Sequence, residues 1–257
     1  NNAHEGLRLG AMWGRQVSAF PPYSKTKLSC VVSRGLWAPQ MRWSRNADTV
    51  PSDVSAHTLC DVVSVHAAAF PDFFMTELGP GFLRAYYRTV AQTAGGIILT
   101  EPDAGVCVAF VAGFVDPSRF YRELRRRRLR LAYHAFAGIA LRPARLRALI
   151  ANYQRAASAG KDARDPETAE LSSLAVAPSH AGKGLGSRLV KRFIQAAQQQ
   201  GASRVVLTTD AADNDAVNEF YRHLGFTCRR CFEARAGRWL NEYECTISVS
   251  GRVGVDA

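Results

Sequence analysis

A mixed α/β fold of the α+β kind, one sheet with helices laid against it, is what three stretches of this sequence predict. Residues 96–100 and 106–115 are apolar, β-branched runs separated by Glu101-Pro-Asp-Ala-Gly105, a hairpin with a clear turn. The second arm is apolar at nearly every position, as in a central strand covered on both faces. Residues 170–176 have strand composition and are closed by Pro178. After them Leu185, Leu189, Val190, Phe193 and Ala197 recur at helical spacing, and residues 204–209 give another strand. At 257 residues the chain suits one domain of about 200 residues with extensions.

Residues 1–40 carry Pro21-Pro22 and mixed polar residues without a sustained period. They are expected to be a disordered or non-native extension. A helix is predicted over residues 52–70, capped by Ser52 or Asp53, with Leu59, Val62, Val63 and His66 along one side and Pro71 as its stop. His57 and His66 read as surface or core-edge histidines. Pro71-Asp-Phe-Phe-Met75 makes an aromatic corner. A second helix follows Pro80, with Phe82, Leu83, Tyr86 and Val90 as its buried stripe.

Between the hairpin and Glu170 lies a helical insertion at about 117–168. Phe120, Leu124, Leu131, Ala135 and Ile139 share one helical face, and Arg119, Arg122, Arg126 and Arg130 the opposite one. Arg127 falls inside the apolar stripe, so it needs a partner, and an anionic acceptor group could supply one. Pro143 interrupts; Leu146, Leu149, Ile150 and Tyr153 begin another amphipathic segment, and residues 156–168 read as a loop. The arginine face is open to three readings: a solvated surface, contact with an acidic substrate, or peripheral contact with an anionic membrane. No aromatic-interleaved basic motif points to nucleic acid.

The net charge of +11 suits anionic ligands or surfaces without choosing among them. Six cysteines without a spaced framework read as reduced thiols in a cytoplasmic protein. Cys228 and Cys231 form a lone C-x-x-C in a predicted strand, which reads as packing, so no metal site is expected. No apolar run reaches the roughly 18–20 residues of a membrane span, and no secretory signal layout opens the chain.

The chemistry gathers at the loop His180-Ala-Gly-Lys-Gly-Leu-Gly-Ser187, between a strand and the first turn of a helix. Glycines at 182, 184 and 186 let backbone N–H groups converge, and a helix N-terminus with such a nest favours a phosphate. The spacing is neither that of a nucleotide-hydrolase phosphate loop nor GxGxxG. Farther on, Asn214 is placed to cap a helix that carries Phe220-Tyr221 and ends at Gly225.

This order of strand, G-x-G-x-G turn, helix, strand and N…Y…GF resembles the GNAT family of acyl-CoA-dependent N-acetyltransferases. The resemblance is specific over residues 170–226 and extends over about 41–248. It implies a mostly antiparallel mixed sheet flanked by helices, a domain spanning 41–250 that opens with a strand at Met41, and a tail at 251–257. One departure stands out: the family usually has Gln or Arg before the first glycine, and here that place is Ala181, after His180. That removes one side-chain contact to a pyrophosphate and leaves the backbone nest.

The resemblance implies acetyl-CoA as co-substrate and direct attack of an amine on its thioester. Leu174, Ala175 and Val176 would lie along the pantetheine arm. Ala181, Gly182, Lys183, Gly184, Leu185, Gly186 and Ser187 would surround the pyrophosphate, with Asn214 near the arm. It implies Tyr221 as general acid and Glu170 as general base, with Asp210 and Asp213 in reserve, and Phe73, Phe74 and Arg127 toward the acceptor. The acceptor would be a small-molecule or protein amine, acidic in character if the arginines serve it. Transfer of a longer acyl group, and a non-catalytic CoA-binding or basic membrane- or anion-binding module, are the alternatives.

Overall fold

The computed structural model describes residues 56–71, 73–139, 165–235 and 237–247. The strand expected at Met41, the caps Ser52 and Asp53, the segment after Pro143 and both terminal extensions lie outside the described residues.

Among the described residues three helices precede the sheet. The first, α1 (Ala56–Ala69), buries Leu59, Val62, Val63 and His66, the side its sequence marks. A four-residue turn, α2 (Phe74–Glu77), follows the aromatic corner. Next comes α3 (Pro80–Gln92), which starts on Pro80 after Gly79 at φ 89. Tyr87, not Tyr86, is the tyrosine at the centre of its buried face.

Among the described residues six strands form one mixed sheet: β1 (Gly96–Asp103), β2 (Val106–Val115), β3 (Thr168–Val176), β4 (Arg204–Asp210), β5 (Thr227–Arg235) and β6 (Arg238–Thr246). Their spatial order is β1-β2-β3-β4-β6-β5, antiparallel throughout except for β3–β4. The hairpin is tighter than the composition of residues 101–105 suggests. β1 runs on through Asp103 past a register shift at Glu101/Pro102, and only Ala104 and Gly105, both at positive φ, turn the chain. Two central residues at positive φ match the right-handed twist of the flanking strands. Val108–Val115 of β2 is buried on both faces, as a central strand should be.

Helices cover both faces. On one, α6 (Leu185–Gln199) and α7 (Asp215–His223) pack Leu189, Phe193, Val217 and Tyr221 over Val111, Leu171, Leu174 and Val205. On the other, α1 and α3 pack over Ile98, Phe110, Phe114 and Ala175. The insertion also lies on this second face. Among the described residues it is two helices, α4 (Pro117–Arg126) and α5 (Arg128–Ile139), parted at Arg127. Phe120, stacked on Phe114 at 3.8 Å, and Leu124 anchor the first; Leu131 and Ala135 anchor the second.

Candidate active site

The sheet comes apart where the chemistry was expected. β3 and β4 pair in parallel over Thr168↔Arg204, Ala169↔Val205 and Glu170↔Val206, and the register stops there. On its other side β3 stays bound to β2 as far as Val176, with the Ala177 N–H donating to the Val108 carbonyl. Alternation along a strand then points the N–H and C=O groups of Leu174 and Val176 at the edge β4 has left. Ala175 turns its amide toward β2 instead and buries its side chain under α1 and α3. A bulge opens the wedge further. Ala112 pairs with Ser173 and Gly113 with Leu171, leaving Ser172 as the extra residue, its hydroxyl donating to the Ala112 carbonyl. Only glycine fits at 113, because a Cβ there would lie 2.2 Å from the Glu170 carbonyl oxygen.

The glycine turn stands at the far end of β3. A single 3₁₀ turn, Pro178–His180, leads to Gly182 at φ 78 and Gly184 at φ 75. Gly184 is the N-cap of α6 and offers no side chain to its first turn; the first helical bond runs from the Arg188 N–H to the Gly184 carbonyl. The N–H groups of Leu185, Gly186 and Ser187 thus lack partners within the helix and face outward with its positive dipole end. This arrangement fits a pyrophosphate. Ala181, Lys183 and the glycines on either side of it are exposed, and Gly186 faces Phe220 and Leu174. His180 is committed elsewhere. Its Nε2 donates to Asp103 Oδ2 at 2.9 Å and its Nδ1 meets the Ser179 hydroxyl at 2.9 Å, tying the turn to the β1–β2 hairpin.

Two titratable groups lie on opposite faces of the sheet. Tyr221 lies on the α6–α7 face, buried among Phe220, Phe226 and Tyr243. Burial holds its phenol well above the usual range, so it is neutral and able to donate. Glu170 points to the face of α3 and α4. There the Tyr121 hydroxyl donates to Glu170 Oε1 at 2.6 Å, and the carboxylate helps burial push Tyr86 up to about 12.

Tyr121 is a residue the sequence reading missed. It comes from α4, so the insertion reaches the wedge. Its neighbours in the chain carry no signal for it, because the contact joins segments 49 positions apart.

The remaining candidates divide. Asn214 occupies the N-cap of α7 but does not cap it with its side chain, because Nδ2 donates to the Asp210 carbonyl at 3.2 Å. It belongs to a buried knot in which Thr209 donates to Asn218 Oδ1 at 2.6 Å and Asn218 to the same Asp210 carbonyl. That knot fixes α7, and Tyr221 with it, against the end of β4. Asp210 is held by Arg238 through both oxygens, at 2.7 and 3.2 Å. Asp213 stands exposed at φ 55. Arg127 finds its partners inside the chain: Nε donates to Glu123 at 2.7 Å and Nη1 to Gln92 at 2.6 Å. Phe73 and Phe74 are half-buried against the core, Phe73 beside His66 and Phe74 beside the Leu78–Ala135 cluster.

A family model described as acetyltransferase (GNAT) family matches residues 63–226. No curated protein matches the chain. Among solved structures the chain is similar to the ribosomal-protein-S18-alanine N-acetyltransferase from Escherichia coli: 14% identity over 78% of this chain and 94% of that one, TM-score 0.46. An N-acetyltransferase from Staphylococcus aureus Mu50 is 17% identical over 73% of this chain and 92% of that one, TM-score 0.45. A candidate acetyltransferase from Salmonella typhimurium, solved with its cofactor acetyl-CoA, is 16% identical over 69% and 76% respectively, TM-score 0.38.

Proposed function

The chain belongs to the GNAT acetyltransferase family, and we propose that it moves an acetyl group from acetyl-CoA to the amine of its acceptor by direct attack on the thioester. One observation carries this reading: β3 and β4 separate after Glu170, and the opened edge of β3 leads to the glycine turn. A strand edge of that kind suits an amide-bearing pantetheine arm, and the turn suits the pyrophosphate beyond it.

The two faces of the wedge give the reaction a direction. The acceptor amine enters from the α3–α4 side, where Glu170 takes its proton, directly or through water. The amine nitrogen bonds to the thioester carbon while an N–H on the open edge of β3 holds the developing oxyanion. The C–S bond then breaks, and Tyr221 gives its proton to the departing thiolate from the α6–α7 side. Holding both reactants across a gap one strand wide supplies most of the acceleration, with acid–base help of about 10²–10⁴-fold.

The test titrates acetyl-CoA calorimetrically into the full chain and then follows thiol release across a panel of amines. Micromolar binding with release for one amine class supports the proposal and defines the acceptor. Tyr221→Phe should lower turnover about 10²-fold with acetyl-CoA affinity nearly unchanged; equal turnover removes Tyr221 from the mechanism. Binding without release for any amine favours a CoA-binding module.

A further inference from the structure

The outer surface of the insertion is not used by this chemistry, and its composition is unusual. Between positions 119 and 130 stand seven arginines and one glutamate, and positions 124–161 contain no acidic residue. The acids nearby are already engaged: Glu123 holds Arg126 and Arg127, and Asp116 holds Arg119. Arg122, Arg125, Arg128 and Arg130 are exposed, and none pairs with an acid among the described residues.

Two bulky apolar side chains share this surface. Leu131 and Ala135 turn α5 inward, and Leu129 and Tyr133 lie about half a turn away from them, side by side at i and i+4. They are 79% and 73% exposed, the most exposed large hydrophobic residues among those described. The core has no use for them there, and water disfavours them.

We propose that the α4–α5 insertion docks the enzyme on anionic membranes, with Leu129 and Tyr133 entering the headgroup layer and the unpaired arginines meeting lipid charge. Leu129 and Tyr133 share α5 with Arg128 and Arg130, and exposed apolar side chains on a helix that also carries basic ones are the composition of an interfacial helix. A tyrosine at such a depth keeps its hydroxyl in the wet zone while its ring is buried. Charge alone would serve a nucleic acid equally well, but a polyanion offers no burial to a leucine. The pairing of Leu129 with Tyr133 therefore favours lipid. Docking is a property of the surface and stands apart from the acetyl-transfer reading.

The experiment is vesicle flotation of the full chain without acetyl-CoA. One set of vesicles is phosphatidylcholine alone, and another contains about a third phosphatidylglycerol; a short DNA duplex is titrated in parallel. Retention on the anionic vesicles only is expected. Leu129→Ser with Tyr133→Ser should lower partitioning about tenfold or more while duplex binding and circular dichroism stay unchanged. Each of Arg122, Arg125, Arg128 and Arg130 changed to Gln should cost about fivefold. No retention of folded protein overturns the proposal, as does equal flotation of the Leu129→Ser/Tyr133→Ser pair. Duplex binding tighter than vesicle binding, with the arginines alone responsible for both, would assign the surface to nucleic acid.

Discussion

Acid should loosen this protein through His66. The ring is fully buried between α1 and α3, among Phe70, Phe73, Tyr87 and Phe110. Nδ1 lies 2.6 Å from the Tyr87 hydroxyl, and Nε2 has no partner among the described residues. Charging such a ring is costly, and desolvation lowers its pKa from the ordinary 6.5 to about 4. Above 6.5 both folded and unfolded chains hold a neutral ring, so the stability this site contributes is intact. As pH falls through the window from 6.5 to about 4, the unfolded chain takes up the proton and the folded chain does not. Stability is lost progressively across that window. Linkage gives a loss of about 2–3 kcal/mol between about pH 7.5 and about pH 4.5. The measurement is urea unfolding by far-UV circular dichroism at those two pH values, for wild type and for His66→Phe with Tyr87→Phe. The double substitution removes both polar partners together, so neither is left buried and unpaired. Carboxylates titrate in both proteins and cancel in the comparison. Wild type should lose about 2–3 kcal/mol more than the double variant. An equal loss would refute the reasoning, because the proton would then be entering elsewhere.

Tyr121→Phe removes the hydroxyl that donates to Glu170. A hydrogen bond to a charged acceptor is worth about 1.5–3 kcal/mol, so turnover should fall about 10- to 100-fold with the acetyl-CoA KM unchanged. Without that donor the carboxylate is less favoured, and the acid limb of the rate profile should move to higher pH; an unmoved limb would deny Tyr121 its positioning role. Gly184→Ala meets nothing within 4 Å, so its cost is backbone strain at φ 75, about 1–2 kcal/mol in denaturant unfolding. It should also raise the acetyl-CoA KM, and an unchanged KM would remove the turn from the binding site.

The sequence was most legible where one residue type answers one local demand. Glycines at 182 and 184 sit at positive φ, as a nest requires, and the unbroken apolar run of 106–115 is the covered central strand. Contacts between distant segments were hidden. Nothing adjacent to Tyr121 in the chain announces Glu170, 49 positions away. Arg127 was rightly marked as needing a partner, but Glu123 stands one helical turn behind it and supplies it. At Asn214 the residue type was right and the bond was not, because the Asp210 carbonyl competes for a side chain that could otherwise have capped α7. The insertion misled for a different reason. Its apolar spacing is nearly continuous across Arg127, and only the backbone break there divides it into two helices.

The early end of the β3–β4 register has a mechanical consequence. The sheet is two three-stranded panels, β1-β2-β3 and β4-β6-β5, and three residue pairs are all the ladder that joins them. In backbone hydrogen bonds the seam is the thinnest join in the sheet, and the side chains of α6 and α7 packed over both panels supply the rest of the connection. A molecule with amides of its own, lying along both open edges, would act as a splint across it. Amide exchange along β3 and β4 should then slow together when acetyl-CoA binds, and slowing confined to one panel would show that the splint grips only one side. In this fold the proposed acetyl-CoA site is also the place where the two panels are held to each other.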